Sequence, residues 1–238
     1  MSLFVGARLI RRGLPTRAAP ELLMGIAYFA APGVGYPMVV ASNAIADRLL
    51  STLVFALGHS LIALGVSVFF FFNARVFRAG QSAAQAFAAV CSIVFSLAAL
   101  EIVRGHNAVG SDLLGLASVR SAMVILLFVL GLAYAWTAWE GFRHHRLMLR
   151  RARVGLGDAV VANRFLLWGF AGSLQVFANL VSAWALWSGD NMLTNLPSML
   201  ATAGVGVVNS VLLVLIFLPP ARYVRWLQRD PRGALAAV

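Results

Sequence analysis

The chain has 238 residues, of which 61% are hydrophobic and 11% charged, with a formal net charge of +11. A soluble domain needs about 25% charged residues to cover its water-facing surface, so that class is excluded and lipid-facing helices are implied. All 19 basic residues are arginines and the single cysteine, Cys91, lies in an apolar run, which excludes a lysine Schiff base, an intrachain disulfide and a cysteine-based metal site.

The chain opens on a short apolar stretch, Met1 to Ile10, closed by Arg11 and Arg12. It is too short to cross a bilayer alone and reads as the inner half of a first helix over 1–12. No cleavable signal peptide is evident. Six longer apolar runs follow, near residues 21–45, 49–74, 80–103, 120–142, 162–188 and 195–219. Each meets the roughly 20 residues that about 30 Å of hydrocarbon requires. The expected fold is therefore all-α: one polytopic transmembrane helix bundle with seven, or six, membrane-spanning helices and a tail over 220–238.

Arginine placement orients it. One set of alternating loops holds Arg8, Arg11, Arg12, Arg17, Arg75, Arg78, Arg143, Arg146, Arg150, Arg151, Arg153, Arg164, Arg222, Arg225, Arg229 and Arg232, whereas the other holds Arg48, Arg104 and Arg120. The first set is expected in the cytoplasm, together with the C-terminus, and the location is a bacterial inner membrane. Arginines set between apolar runs argue against nucleic acid as a partner. The dense run Arg143, Arg146, Arg150, Arg151 and Arg153 falls in the largest inner connection, 143–164. It reads as a basic cytoplasmic surface for anionic headgroups or for a cytoplasmic protein partner. Pro219-Pro220 closes the last span, and arginines with Tyr223 and Trp226 suggest a stub along the inner headgroups.

The first full span carries Pro32, Gly33, Gly35 and Pro37, which a straight helix does not tolerate. Such breaks line routes in some transporters. The second span places His59 near mid-depth. In the third, Gln85, Ser92 and Ser96 share a face. In the run 162–188, Gly172, Gln175, Asn179 and Ser182 recur at i, i+3, i+7, i+10 on one face. The last run offers Thr202, Gly206 and Asn209. A polar stripe at membrane depth must meet protein or water. His59, Gln175, Asn179 and Asn209, with Thr202, Ser92 and Ser96, are thus candidates for one polar centre that binds a small ligand. The bland alternative is hydrogen-bonded glue between helices. Asp47 beside Arg48, Glu101 before Arg104 and Glu140 near Arg143 are explained by pairing or by interfacial solvation. Trp136, Trp139, Trp184 and Trp187 suit interfacial anchoring.

Catalytic constellations are not evident. A bis-histidine haem needs two histidines at depth, and only His59 qualifies, because His106, His144 and His145 fall in expected loops. No intramembrane protease pattern, nucleotide loop or metal-ligand cluster is readable. No cofactor is therefore expected, and nothing in these residues supports an enzyme, although none of it excludes one.

Pro20-Glu21-Leu22-Leu23-Met24-Gly25, followed by Gly35-Tyr36-Pro37, resembles a segment of uncharacterised bacterial polytopic membrane proteins in which an arginine-rich loop links a first helix to this one. The resemblance covers about the first fifth of the chain and implies seven helices but no activity. Seven helices with the C-terminus inside are also similar to microbial rhodopsins, but the absent lysine removes the retinal site. Three functional readings follow: a small-ligand binding or sensing bundle, a small-solute transporter using the Pro32–Pro37 segment, or a structural subunit of a membrane complex.

Overall fold

The computed structural model describes residues 1–16, 19–110, 116–154, 156, 158–190 and 195–229. Arg17, Gly115 and Arg232 lie outside the described residues, as do the side chains of Arg153 and Arg229. Among the described residues the chain is all-helical. The elements are α1 (Ser2–Thr16), α2 (Ala19–Tyr28), a π-helical segment (Phe29–Gly35), α3 (Tyr36–Ser42), α4 (Arg48–Phe77), α5 (Ser82–Val109), α6 (Ala117–Arg153), α7 (Ala159–Trp187), α8 (Leu196–Phe217) and α9 (Ala221–Arg229).

Six helices are long and apolar enough to cross a membrane: Ala19–Ser42, taken through its π-helical segment, and α4, α5, α6, α7 and α8. They fall on the six apolar runs. With 15 residues, α1 does not reach that length. Large apolar side chains cover the outside of these helices, among them Leu53, Leu97, Phe128, Phe177 and Val207. A surface of that kind fits lipid and not water.

Two expected loops are helical instead. The basic run after 142 continues α6 without interruption to Arg153, so the connection expected over 143–164 shrinks to a few residues before Ala159. Likewise α5 runs past Arg104 to Val109. A helix need not stop where the hydrocarbon stops. At 37 residues and 1.5 Å per residue, α6 is about 55 Å long against about 30 Å of hydrocarbon.

The chain divides into two compact units, Met1–Ala133 with Asn179–Met199, and Tyr134–Ala178 with Leu200–Val238. In the first unit, glycines set the packing. A Cβ on Gly6 would lie 2.6 Å from Phe29 N, and one on Gly13 would lie 2.9 Å from Leu22 N. α1 therefore runs antiparallel to α2 with the backbones nearly touching. On the other side of the same span, a Cβ on Gly65 would lie 2.6 Å from the Ala31 Cβ, and one on Gly58 would lie 2.9 Å from Gly35 O. Pro32 sits inside the π-helical segment. Proline lacks an N–H and its ring collides with the carbonyl four residues back, and the wider π turn relieves that collision. The expected break is thus one widened turn in a continuous helix, packed on both sides. Farther along, Phe55, Ala98, Ile102, Val119 and Ala122 form a core between α4, α5 and the start of α6.

In the second unit α6 and α7 cross through small residues. A Cβ on Gly141 would lie 2.7 Å from Gly169 N, and one on Gly172 would lie 2.7 Å from Tyr134 O. Trp168 meets Phe217 of α8 edge-on at 5.9 Å.

Close backbone approach makes a test. Gly65→Ala forces a methyl into Ala31, and overpacking of this kind costs about 1–3 kcal/mol. At roughly 2–4 °C per kcal/mol for a chain of this size, the unfolding midpoint in detergent should fall measurably. Gly204→Ala, where nothing lies within 4 Å, should leave it unchanged or raise it. Equal behaviour of the two variants would contradict the packing described.

Candidate functional site

The seven candidate ligand residues fall in both units, and each is described within its own. In the first unit His59 is buried on α4, with Nδ1 3.1 Å from its own helix's Phe55 carbonyl. A carbonyl only accepts, so Nδ1 carries the proton. Ser92 is buried and donates to Ala88 O at 2.8 Å, while Ser96 is exposed and donates to Ser92 O at 2.8 Å. Both hydroxyls are satisfied one turn back on their own helix, so neither requires a polar neighbour. Gln85 is exposed as well. Asn179 is buried, and Ser182, three residues on, shares a 3.0 Å hydrogen bond with Ser198 of α8.

In the second unit Asn209 Nδ2 donates to Gln175 Oε1 at 3.3 Å, which joins α8 to α7. Thr202 is exposed. The stripe on α7 thus faces protein as its spacing predicts. Ser96 and Thr202, which share its chemistry, face outward.

Three histidines stand elsewhere than expected. His106 lies in α5, buried, with its ring stacked on Phe55 at 4.0 Å, and Phe55 in turn meets His59 at 4.3 Å. Its Nε2 is 3.2 Å from Ser51 Oγ. The Ser51 proton goes to Ser42 O at 2.9 Å, so His106 donates through Nε2. Around this cluster the helix ends are tied. Asp47 caps α4 by accepting from Leu50 N at 2.7 Å, and Arg48 donates to Asn107 O and Ala108 O, at 2.7 and 2.8 Å, at the last carbonyls of α5. An acid at a helix start and a cation at a helix end both complement the helix dipole. Asp47 and Arg48 therefore act on helix termini, where pairing or interfacial solvation was expected. Glu101 and Arg104 approach to 4.0 Å, largely exposed.

His144 and His145 belong to α6. His145 is buried, and its Nδ1 donates to Ala162 O of α7 at 2.8 Å. His144 Nδ1 donates to Glu140 O at 2.9 Å. Glu140 departs furthest from expectation. Its side chain is 0% exposed, so interfacial water does not solvate it, and Arg143 donates to its Oε2 at 3.2 Å. Burying a carboxylate is costly unless it is paired and hydrogen-bonded, and in membrane proteins such groups mark sites that matter.

Arg143 also lines the groove that gives this end of α6 its shape. Trp139, Phe142, Arg143, Arg146, Leu147 and Arg150 line a shallow, half-open hollow of about 410 Å³. Their spacing of i, i+3, i+4, i+7, i+8, i+11 puts them on one helical face. Trp139 is 67% exposed, and Arg146 and Arg150 are exposed. Arg151 is exposed too. Nearby, Asn163 of α7 donates to the Tyr223 hydroxyl of α9, where Tyr223 stacks on Trp226 at 6.0 Å. The amino-acid pattern points to these arginines but not to the groove, because the charge run resembles a loop. The signal lies in the helical spacing of Trp139, Phe142 and Leu147 among them.

Among the described residues no group of three or more His, Cys, Asp or Glu side chains is placed to hold a metal ion. No protein-family model, no curated protein and no solved structure matches the chain.

The Gln175–Asn209 bond is open to a double-mutant cycle. Gln175→Leu, Asn209→Leu and the double variant, unfolded in detergent, should show a coupling of about 0.6 kcal/mol and no more than about 1.7 kcal/mol, the range for such pairs in lipid. Zero coupling would mean that the two side chains do not bond.

Proposed function

We propose that this protein is a multi-pass helix bundle of a bacterial inner membrane, with its C-terminus in the cytoplasm, that serves as a structural and docking subunit of the membrane. The observation that carries this reading is how the polar side chains inside the spans are satisfied. Gln175 bonds Asn209 and Ser182 bonds Ser198, each from one helix to another. Ser60, Asn73, Ser92 and Ser173 bond carbonyls of their own helix. This is glue. The arginine bias supports the orientation. α1 packs antiparallel along the first span.

The transport reading has the π-helical segment on its side, since π turns recur at functional sites. Against it, Gly58 and Gly65 of α4 press on that segment, and Gly6 of α1 presses on Phe29, too closely to admit even a methyl group. The ligand-sensing reading rests on buried His59 and Asn179.

A cytoplasm-dependent fluorescent reporter fused after residue 229 should light up, and one fused after Val109 should stay dark. In native mass spectrometry the wild-type protein should carry no small molecule whose binding depends on Gln175, and Gln175→Leu should change stability and not the bound mass. A bound small molecule lost on Gln175→Leu would overturn the structural reading in favour of sensing.

A further inference from the structure

Where α6 leaves the hydrocarbon, its exposed face combines two chemistries. A helix of 37 residues whose outer edge is marked by Arg120 has used about 30 Å of its length by Glu140. The following turns lie at the headgroups and beyond. Trp139, Phe142 and Leu147 offer an apolar wall at that depth, and tryptophan suits the headgroup level because its ring is apolar and its N–H polar. Arg143, Arg146 and Arg150 line the same groove one turn apart. Their charges are not equivalent. Arg143 is held by the buried Glu140 carboxylate at 3.2 Å. Arg146 and Arg150 are exposed and make no ion pair among the described residues. Two uncompensated guanidinium forks beside an apolar wall match a ligand with an anionic head and a hydrocarbon tail. The planar fork pairs with phosphate oxygens two at a time.

We propose that this groove seats an anionic phospholipid of the inner leaflet. Arg146 and Arg150 hold the phosphodiester, and Trp139 and Phe142, nearer the hydrocarbon, line the glycerol and the first methylenes. Arg143 is the positioning residue, fixed by Glu140 so that the groove stays open. The inference rests on the cytoplasmic placement of this end of α6 given above. It adds the partner's chemistry to that placement.

The test uses the full chain in neutral detergent, titrated with dioleoyl phosphatidylglycerol or dioleoyl phosphatidylcholine and read by native mass spectrometry. Phosphatidylglycerol should bind at least about tenfold more tightly. At roughly fivefold for each arginine, R146Q/R150Q should weaken its binding about 25-fold and leave phosphatidylcholine unchanged. R222Q/R225Q, on α9 and not among the groove-lining residues, should weaken it far less than R146Q/R150Q does. The charge-keeping pair R146K/R150K, which preserves the fold if the glutamines do not, should lose several-fold because lysine has no fork. No preference between the lipids, an equal loss in R222Q/R225Q, a lysine pair that binds like wild type, or competition by excess inorganic phosphate would each overturn the seat. Orientation is measured separately, with an impermeant thiol reagent on R151C in a C91A background. Labelling from the outer side with the lipid preference intact would overturn the cytoplasmic placement alone. Labelling from the inner side without the preference would overturn the seat alone.

Discussion

The constraint on which everything else here depends is that hydrocarbon offers no hydrogen bonds. Every backbone N–H and C=O within the spans must be satisfied inside its own segment, so each of the six apolar runs becomes one continuous helix. Proline is the severest challenge to that rule, and the first span meets it with a π-helical turn around Pro32. The widened turn is not left open. α1 and α4 press on it through Gly6, Gly58 and Gly65, which suits an environment where association between helices relies on close van der Waals contact.

Several side chains follow the same constraint. Serines and Asn73 turn back to their own helix, Gln175 finds Asn209, Ser182 finds Ser198, and His145 finds a carbonyl of α7. Charge is treated more strictly still. Glu140 is sealed from solvent and answered by Arg143, while Asp47 and Arg48 are spent on helix termini. Arg146 and Arg150, which make no ion pair among the described residues, gather where α6 passes out of the apolar zone. The groove along Arg143, Arg146 and Arg150 follows from that surplus of charge together with the exposed Trp139.

The spans were legible in the sequence because a run of about 20 apolar residues matches the thickness of hydrocarbon and is rare in a water-soluble fold. The helix ends were not. Arg104 and Arg143 look like boundaries, because charge marks the edge of hydrocarbon, yet the helices run on past both residues. For that one reason His106, His144 and His145 stand in helices where loops were expected. The inward stripe of Gly172, Gln175, Asn179 and Ser182 could be read from its period. Ser96 and Thr202 could not be placed, since a hydroxyl on a helix can bond a carbonyl one turn back and so tolerates either lipid or protein. The burial of Glu140 was illegible as well. Glu140 precedes Gly141, which meets Gly169 of α7 closely, a contact that no local pattern encodes.

The most direct measurement is a depth profile of α6 in a lipid bilayer. Single spin labels at Ile125, Phe128, Leu147 and Arg151, in a Cys91→Ala background, would be read for access to oxygen and to a water-soluble relaxing agent. Ile125 and Phe128 are exposed on the structure, so the account predicts oxygen access and no water there, water access at Leu147 and Arg151, and a crossover near Trp139. Water access at all four positions, or a dry zone reaching Arg151, would contradict a span that leaves the hydrocarbon before its basic face begins.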